Sequence, residues 1–443
     1  MAKTRSDAWS AVAAAGFVAG GLWSTYCVHA SMTSLQAMLA KRHDRRAVSD
    51  NAETHEVIVV VPMIHEADQV GQFVAHWCAL LEKHSRLRLC FVTTEREQIE
   101  ASAGRYTWDV LRLEARLEPF MRSGRAEIAH FPGVNRTYGE QLGWALDRLA
   151  NATERSAEYF YITNADSRLS DEACAEIIDL ADAGINCAQQ SSLFFGNLRE
   201  VTWPAVGEAL YQSRWTLETE VFRYLVGAGQ IAWIPTWLQR RWYQHAVGHG
   251  LLLSRRYYKE LGGLPRAKYG LEDAALGFTI RAAGGHVHPF ATLECGDAPA
   301  SVQELQRQRS TWVRGPLCAG EYLSDRQDIP LAAQGLYDGL KWSLGLPAKW
   351  VLILLMAPRS RLVAVTGMLL GLYGPILRLL VGLNQLEVNT CCRPQRRDIA
   401  RGLLSYSIAP LSYWSGGFRG LCRLLHDVLT DSPSVQQRTR ETA

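Results

Sequence analysis

Between about residues 55 and 320, short apolar runs alternate with stretches of helical periodicity. Glu56-Val-Ile-Val-Val-Val-Pro62 is a continuous β-branched run, which predicts a strand buried on both faces. Phe73 to Leu81 has helical spacing, Leu87-Arg-Leu-Cys-Phe-Val-Thr93 predicts the next strand, and Tyr138 to Leu149 is again helical. Tyr159-Phe-Tyr-Ile162 reads as a further strand. It runs into the polar Asn164-Ala165-Asp166-Ser167, and the acidic helix start Ser170-Asp171-Glu172 comes next. Strands alternating with helices predict an α/β fold built on a mainly parallel sheet. Such sheets bind ligands in the crevice beyond the carboxyl ends of their strands, which is where Asp166 would stand.

Both ends of the chain break this pattern. Ala8 to Ala40 contains no Asp, Glu, Lys or Arg, a run longer than the roughly 20 residues of a spanning helix. Its length and the lack of a small-residue cleavage site predict a retained anchor rather than a signal peptide. Lys41, Arg42, Arg45 and Arg46 lie just after it, against Lys3 and Arg5 before it. That bias predicts a cytoplasmic location for the chain beyond residue 41. Trp342 to Ala357 is apolar apart from Lys349 and is interrupted by Pro347, and Leu362 to Leu386 is apolar apart from Arg378. Arg393, Arg396, Arg397 and Arg401 then mark a return to the cytoplasm. Gly402 to Phe418 suits either a crossing or an interfacial helix. The expected organisation is an N-terminal transmembrane anchor at 1–45, a cytoplasmic α/β domain at 50–325, and a membrane region at 326–443 with two or three transmembrane or interfacial helices. The chain is thus expected to be an integral membrane protein.

Composition adds limits. A formal charge of +3 with scattered basic residues gives no nucleic-acid footprint. The ten cysteines include no CxxC, which argues against a zinc knuckle or a disulfide framework and for a reducing compartment. The tryptophan-rich stretch from Trp203 to Trp242 suits aromatic core packing as well as a platform for sugars or lipid head groups.

Four groups of residues carry candidate chemistry. Asp166 can be an ordinary turn residue or the single carboxylate with which a hard cation is held on a diphosphate. Pro62-Met-Ile-His-Glu66 forms a strand-to-loop transition where a base or ribose would lie. Gly248-His249-Gly250 precedes an apolar run, and Glu272-Asp273 opens a helix. The pair can complement the helix dipole, or repulsion and burial can raise one pKa for general-base work. In Gln306-Arg-Gln-Arg-Ser-Thr-Trp-Val-Arg-Gly315, Arg and Gln side chains can clamp a diphosphate and Trp312 offers a flat face to a sugar. Glu294 and Asp297 read as loop charges.

Taken in order, these residues resemble the membrane-bound family 2 glycosyltransferases, relatives of cellulose, chitin and hyaluronan synthases. Val61-Pro-Met-Ile-His-Glu66 is similar to the opening "iPxyNE" motif, and Tyr138-Gly-Glu-Gln-Leu-Gly-Trp-Ala-Leu146 to "KADQLNYAL". Asn164-Ala-Asp166 resembles the "DAD" metal motif, Glu272-Asp273 the "ED" pair, and Gln308-Arg-Ser-Thr-Trp312 stands where "QxxRW" belongs. The resemblance implies an A-type glycosyltransferase fold with a Rossmann-like sheet. It implies inverting transfer from a nucleotide-sugar, most often a UDP-sugar, using Mg²⁺ or Mn²⁺. Asp166 would hold the metal, and Asp273, with Glu272 beside it, would be the catalytic base. Pro62, Glu66, Asn164, Asp166, Gln308 and Arg309 would line the nucleotide-sugar site, with Trp312 and His249 at the acceptor end. His249 can equally meet the leaving diphosphate, or be satisfied by a backbone carbonyl.

Several positions depart from the family pattern. Asn164 replaces the first Asp, Thr93-Thr94 stands where an acid often meets the base, and Tyr138 and Gly143 replace Lys and Asn. Thr311 replaces the Arg set against the pyrophosphate, and Arg309 or Arg314 is the expected substitute. The small membrane part favours transfer to a membrane-proximal carbohydrate or lipid-linked acceptor over the alternative of a processive polysaccharide synthase. Retention of Asp166 and Asp273 favours an enzyme over a catalytically inactive sugar-binding scaffold. A nucleotide-cofactor oxidoreductase is disfavoured, since no G-x-G-x-x-G comes after the first strand.

Overall fold

In the computed structural model, the described residues are 26, 29–30, 32–38, 40, 55–100, 106–134, 137–152, 157–239, 241–356, 394–406 and 408–432. Seven strands form the main sheet. They are β1 (Val57–Pro62), β2 (Leu87–Thr94), β3 (Ala126–Phe131), β4 (Tyr159–Ile162), β5 (Cys187–Gln189), β7 (Leu251–Ser254) and β8 (His288–Pro289). Their order is β3-β2-β1-β4-β7-β5-β8. All pairings are parallel except those of β7, which runs antiparallel to both β4 and β5. Two further short strands, β6 (Ser192–Leu193) and β9 (Glu294–Cys295), pair parallel to each other.

The apolar run of β1 is buried throughout because both faces are covered. Val57, Val59 and Val61 enter one core with the helices α1 (Val70–Lys83) and α3 (Asp171–Asp182). Ile58 and Val60 enter the other with α2 (Tyr138–Asn151), as the two-residue period of a strand requires. α2 starts with a capping box, in which Thr137 Oγ1 accepts from the Glu140 amide and the Glu140 carboxylate accepts from the Thr137 amide.

A third core lies beside the sheet, on a long helix broken by a π-helical turn. α4 (Trp203–Trp215) passes into π geometry at Thr216–Val221 and resumes as α5 (Phe222–Gly227). The described residues of 26–40 are helical, and Ala30, Leu35 and Met38 are buried in this core. Ser34 Oγ donates to the Leu217 carbonyl at 3.0 Å. This part of the expected anchor therefore packs on the protein; its earlier part, 1–25, lies outside the described residues.

Further along the chain, the longer helices among the described residues are α6 (Glu272–Ala282), α7 (Val302–Trp312), α8 (Ile329–Met356), α9 (Arg396–Ser405) and α10 (Ala409–Thr430). Among the described residues, no helix is long and apolar enough to cross a membrane. Of the crossing expected at 342–357, residues 342–356 belong to α8, whose earlier part carries Asp338 in a buried pair with Arg223 at 2.8 Å. The span expected at 362–386 lies outside the described residues. Gly402 to Phe418 is divided between α9 and α10, which dock on the α/β domain. An added methyl at Gly420 would stand 2.4 Å from the Ser310 carbonyl of α7, so the glycines here permit helices to cross closely. Six described cysteines are free, whereas Cys295 is disulfide-bonded, a pairing that the cysteine spacing did not predict.

Candidate functional site

The sheet register brings distant loops to one edge. Ile162, the last residue of β4, pairs with Leu251, the first of β7, and Gln189 at the end of β5 pairs with the same Leu251. Because β7 is antiparallel, the loop entering it meets the loops leaving β4 and β5. Asn164-Ala-Asp166, Gln189-Gln190 and Gly248-His249-Gly250 therefore share the carboxyl edge with the ends of β1 and β2.

At the β1 end, Pro62 pairs with Val92 and is buried. His65 has a left-handed backbone, with φ of 57°, and the Glu66 amide donates to Thr107 Oγ1 at 2.9 Å. Gln141 of α2 donates to the carbonyls of Val92 at 2.7 Å and Met63 at 3.3 Å. This buried glutamine ties the ends of β1 and β2 to a helix, which gives the "KADQLNYAL"-like segment a structural purpose. Thr93 Oγ1 lies 2.9 Å from His130 Nδ1, and the His130 ring meets Trp108 at 4.6 Å between centroids. No sequence signal marked His130 or Trp108.

Asp166 is exposed in the turn after β4, and the Ser167 amide donates to the Asn164 carbonyl at 3.2 Å. Asp273 approaches the same edge from α6. Its Oδ1 accepts from the Ala274 amide at 2.7 Å, and its Oδ2 lies against Gly248, where an added methyl would stand 3.1 Å away. Glu272 turns the other way, into the start of α2. Its Oε1 accepts from Thr137 Oγ1 at 3.3 Å, and an added methyl at Gly139 would stand 2.2 Å from its carboxyl carbon. Burial pushes the Glu272 carboxyl up to about 7, with the Asp273 and Glu140 charges adding to the effect.

His249 is surrounded by residues that sequence reasoning missed. Its Nε2 lies 3.1 Å from Ser192 Oγ and 3.6 Å from Glu294 Oε2, and Ser192 Oγ donates to Glu294 Oε2 at 2.7 Å. The Gln189 side chain accepts from the Val247 amide at 2.9 Å and donates to the His249 carbonyl at 2.6 Å, pinning the loop. The backbone of His249 is thus satisfied by a side chain while its ring is used separately. Glu294 is not the loop charge that its sequence surroundings suggest. It belongs to β9, a two-residue strand too short for any periodicity to mark.

The C-terminal motif is arranged differently from expectation. Arg309 is 1% exposed. Its guanidinium lies 4.6 Å from the Trp312 ring centroid and 4.8 Å from that of Tyr413 on α10. Glu208 of α4 is a charge neighbour, and its own burial pushes its carboxyl up to about 8. Arg314, the other expected diphosphate partner, is buried and donates to Asp427 Oδ2 of α10 at 2.8 Å. Both cations are enclosed by the docking of α10 rather than presented to the crevice. The Trp312 ring is likewise engaged by Arg309, and Gln308 is half-buried on the same helix.

Among the described residues, no group of three or more His, Cys, Asp or Glu side chains is gathered to cage a metal ion. The exposed Asp166 carboxylate still fits a hard divalent cation that takes its remaining ligands from substrate phosphates and water.

No protein-family model and no curated protein sequence matches this chain. Solved structures similar in fold include the mannosyltransferase PcManGT from Pyrobaculum calidifontis in complex with GDP-Man and Mn²⁺. It is 15% identical with a TM-score of 0.47, covering 88% of this chain and 98% of that one. S. aureus TarS 1–349 in complex with UDP-GlcNAc is 11% identical with a TM-score of 0.37, covering 82% and 92%. Mannosyl-3-phosphoglycerate synthase from Rubrobacter xylanophilus is 14% identical with a TM-score of 0.35, covering 62% and 77%. At these values none of them assigns a donor, a metal or an acceptor to this chain.

Proposed function

We propose that this chain is a glycosyltransferase that moves a sugar from a nucleotide-sugar, a UDP-sugar by the family resemblance, onto an acceptor hydroxyl with inversion. The observation that carries this is the approach of Asp273 to Gly248 at the edge where the loop after β4 presents Asp166. On this reading two acids 107 positions apart (273 less 166) in the sequence would address one crevice.

In this mechanism Asp273 takes the proton of the acceptor hydroxyl as its oxygen attacks the anomeric carbon, and the nucleoside diphosphate departs. Positioned base catalysis contributes about 10²–10⁴-fold. Burial raises the Glu272 carboxyl to about 7 and Thr137 fixes it, which lessens the charge beside Asp273. Asp166 would hold Mg²⁺ or Mn²⁺. The ion's chemistry is to neutralise charge on the leaving diphosphate. With Arg309 and Arg314 packed into α10, neither of these two assists in this reading. The apolar runs at 8–25 and 362–386 and their basic flanks support a membrane-proximal or lipid-linked acceptor and a cytoplasmic site.

The test is release of nucleotide from a panel of nucleotide-sugars by the purified full chain, compared with Asp273→Asn. The reading expects turnover to fall on the order of 10²–10⁴-fold with nucleotide affinity nearly unchanged. No turnover on any donor, or equal losses in affinity and rate, would count against it.

A further inference from the structure

The ring of His249 is held at one nitrogen by a chain of buried polar groups. Glu294 is 4% exposed at its side chain and His249 22%, so the ring reaches from a closed interior toward an opening. A serine hydroxyl has one proton to give. Ser192 directs it at Glu294 Oε2, 2.7 Å away, so its lone pair receives the Nε2 proton of His249 across 3.1 Å. The neutral ring is therefore the Nε2–H tautomer, and Nδ1 carries the lone pair.

Neighbouring contacts show that this chain of groups is built rather than incidental. Thr216 Oγ1 donates to the Ser192 carbonyl at 3.2 Å, and Ser191 Oγ donates to Glu220 Oε1 at 2.6 Å. Thr216 and Glu220 both belong to the π-helical turn that interrupts the α4–α5 helix. Such turns recur at functional sites because they re-aim side chains out of helical register. Here the turn delivers two side chains to consecutive serines, and the second of these, Ser192, sets the histidine. His249 adjoins Gly248, where an added methyl would stand 3.1 Å from Asp273 Oδ2.

We propose that His249 Nδ1 is a hydrogen-bond acceptor for a hydroxyl of the molecule that receives the sugar, and that Ser192 and Glu294 are its positioning residues. At a pH where the ring is neutral the subsite then selects a polyol or saccharide acceptor over an anionic one, since the Nδ1 lone pair accepts from a hydroxyl and repels phosphate and carboxylate oxygens. The inference rests on the glycosyltransferase reading for the identity of the acceptor. The tautomer and its cause stand independently of that reading.

The experiment is ¹⁵N NMR of the full chain with labelled histidine, at about pH 8, above the ordinary histidine range. The His249 signals are assigned by their loss in His249→Asn. The expected result is an unprotonated Nδ1 in the wild type, with that preference lost in Ser192→Ala. Glu294→Gln is the second variant, and it should weaken the preference without abolishing it. Titration with octyl glucoside should move the Nδ1 signal, and inorganic phosphate should not. An Nδ1–H tautomer, a spectrum unaffected by Ser192→Ala, a response to phosphate, or no response to the glucoside would each overturn the proposal. A chain with the expected tautomer that turns over no nucleotide-sugar would instead defeat the sugar-transfer reading alone.

Discussion

Thr137 and Glu272 join the starts of two helices: the threonine hydroxyl donates to Glu272 Oε1 at 3.3 Å across 135 residues of sequence. The same threonine caps α2, so one side chain both starts that helix and receives the acid of the other. Glu272 precedes Asp273 directly. Its charge state is therefore linked to the position of the proposed base.

The raised Glu272 pKa has a signed consequence for stability. The ordinary value is 4.5 and the folded value is about 7, so the folded chain binds the extra proton between these limits. The corresponding stability is fully present below the lower value and is lost as pH rises through the upper one. Glu272→Gln removes this dependence. Thermal unfolding from pH 4.5 to pH 7 should show the variant gaining on the wild type as pH rises. A constant difference across that window would show that Glu272 is ionised in the fold.

Arg309 offers a separation of stability from binding. Its guanidinium packs on two aromatic rings and is shut away from solvent. Arg309→Ala should cost about 2–5 kcal/mol, as other large-to-small core changes do. Nucleotide affinity of the folded fraction should not change. A selective loss of affinity in calorimetry, with denaturation unaltered, would return Arg309 to the diphosphate site.

The buried pair of Arg314 and Asp427 ties α10 to the α/β domain at 2.8 Å. Removing one partner leaves a buried charge uncompensated, at a cost of about 3–5 kcal/mol. Arg314→Met should therefore be severely destabilised in urea. Replacing both, with Asp427→Leu added, should recover most of the loss. Additive losses in the double variant would mean the pair is not coupled.

Chelation probes Asp166. Treatment with EDTA should abolish nucleotide release, and Mn²⁺ or Mg²⁺ should restore it in the wild type. Asp166→Ala should respond to neither ion while keeping its thermal stability, because the carboxylate is exposed in a turn. A metal response that survives this substitution would move the ion elsewhere.

Much of the fold was legible in the chain itself. The β-branched run of β1 and the aromatic run of β4 set buried strands, because such runs satisfy both faces of a covered parallel sheet. The polar Asn164-Ala-Asp166 after β4 and the Glu272-Asp273 pair marked an edge and a helix start, since turn and capping chemistry is local. Local pattern could not decide which partners those residues meet. The antiparallel insertion of β7 brings His249 beside β4, and a two-residue strand lifts Glu294 out of the class of loop charges. The docking of α10 turns Arg309 and Arg314 from available cations into packed ones. Each of these depends on contacts between elements far apart in the chain, where burial and pairing outweigh anything that a side chain's neighbours in sequence impose.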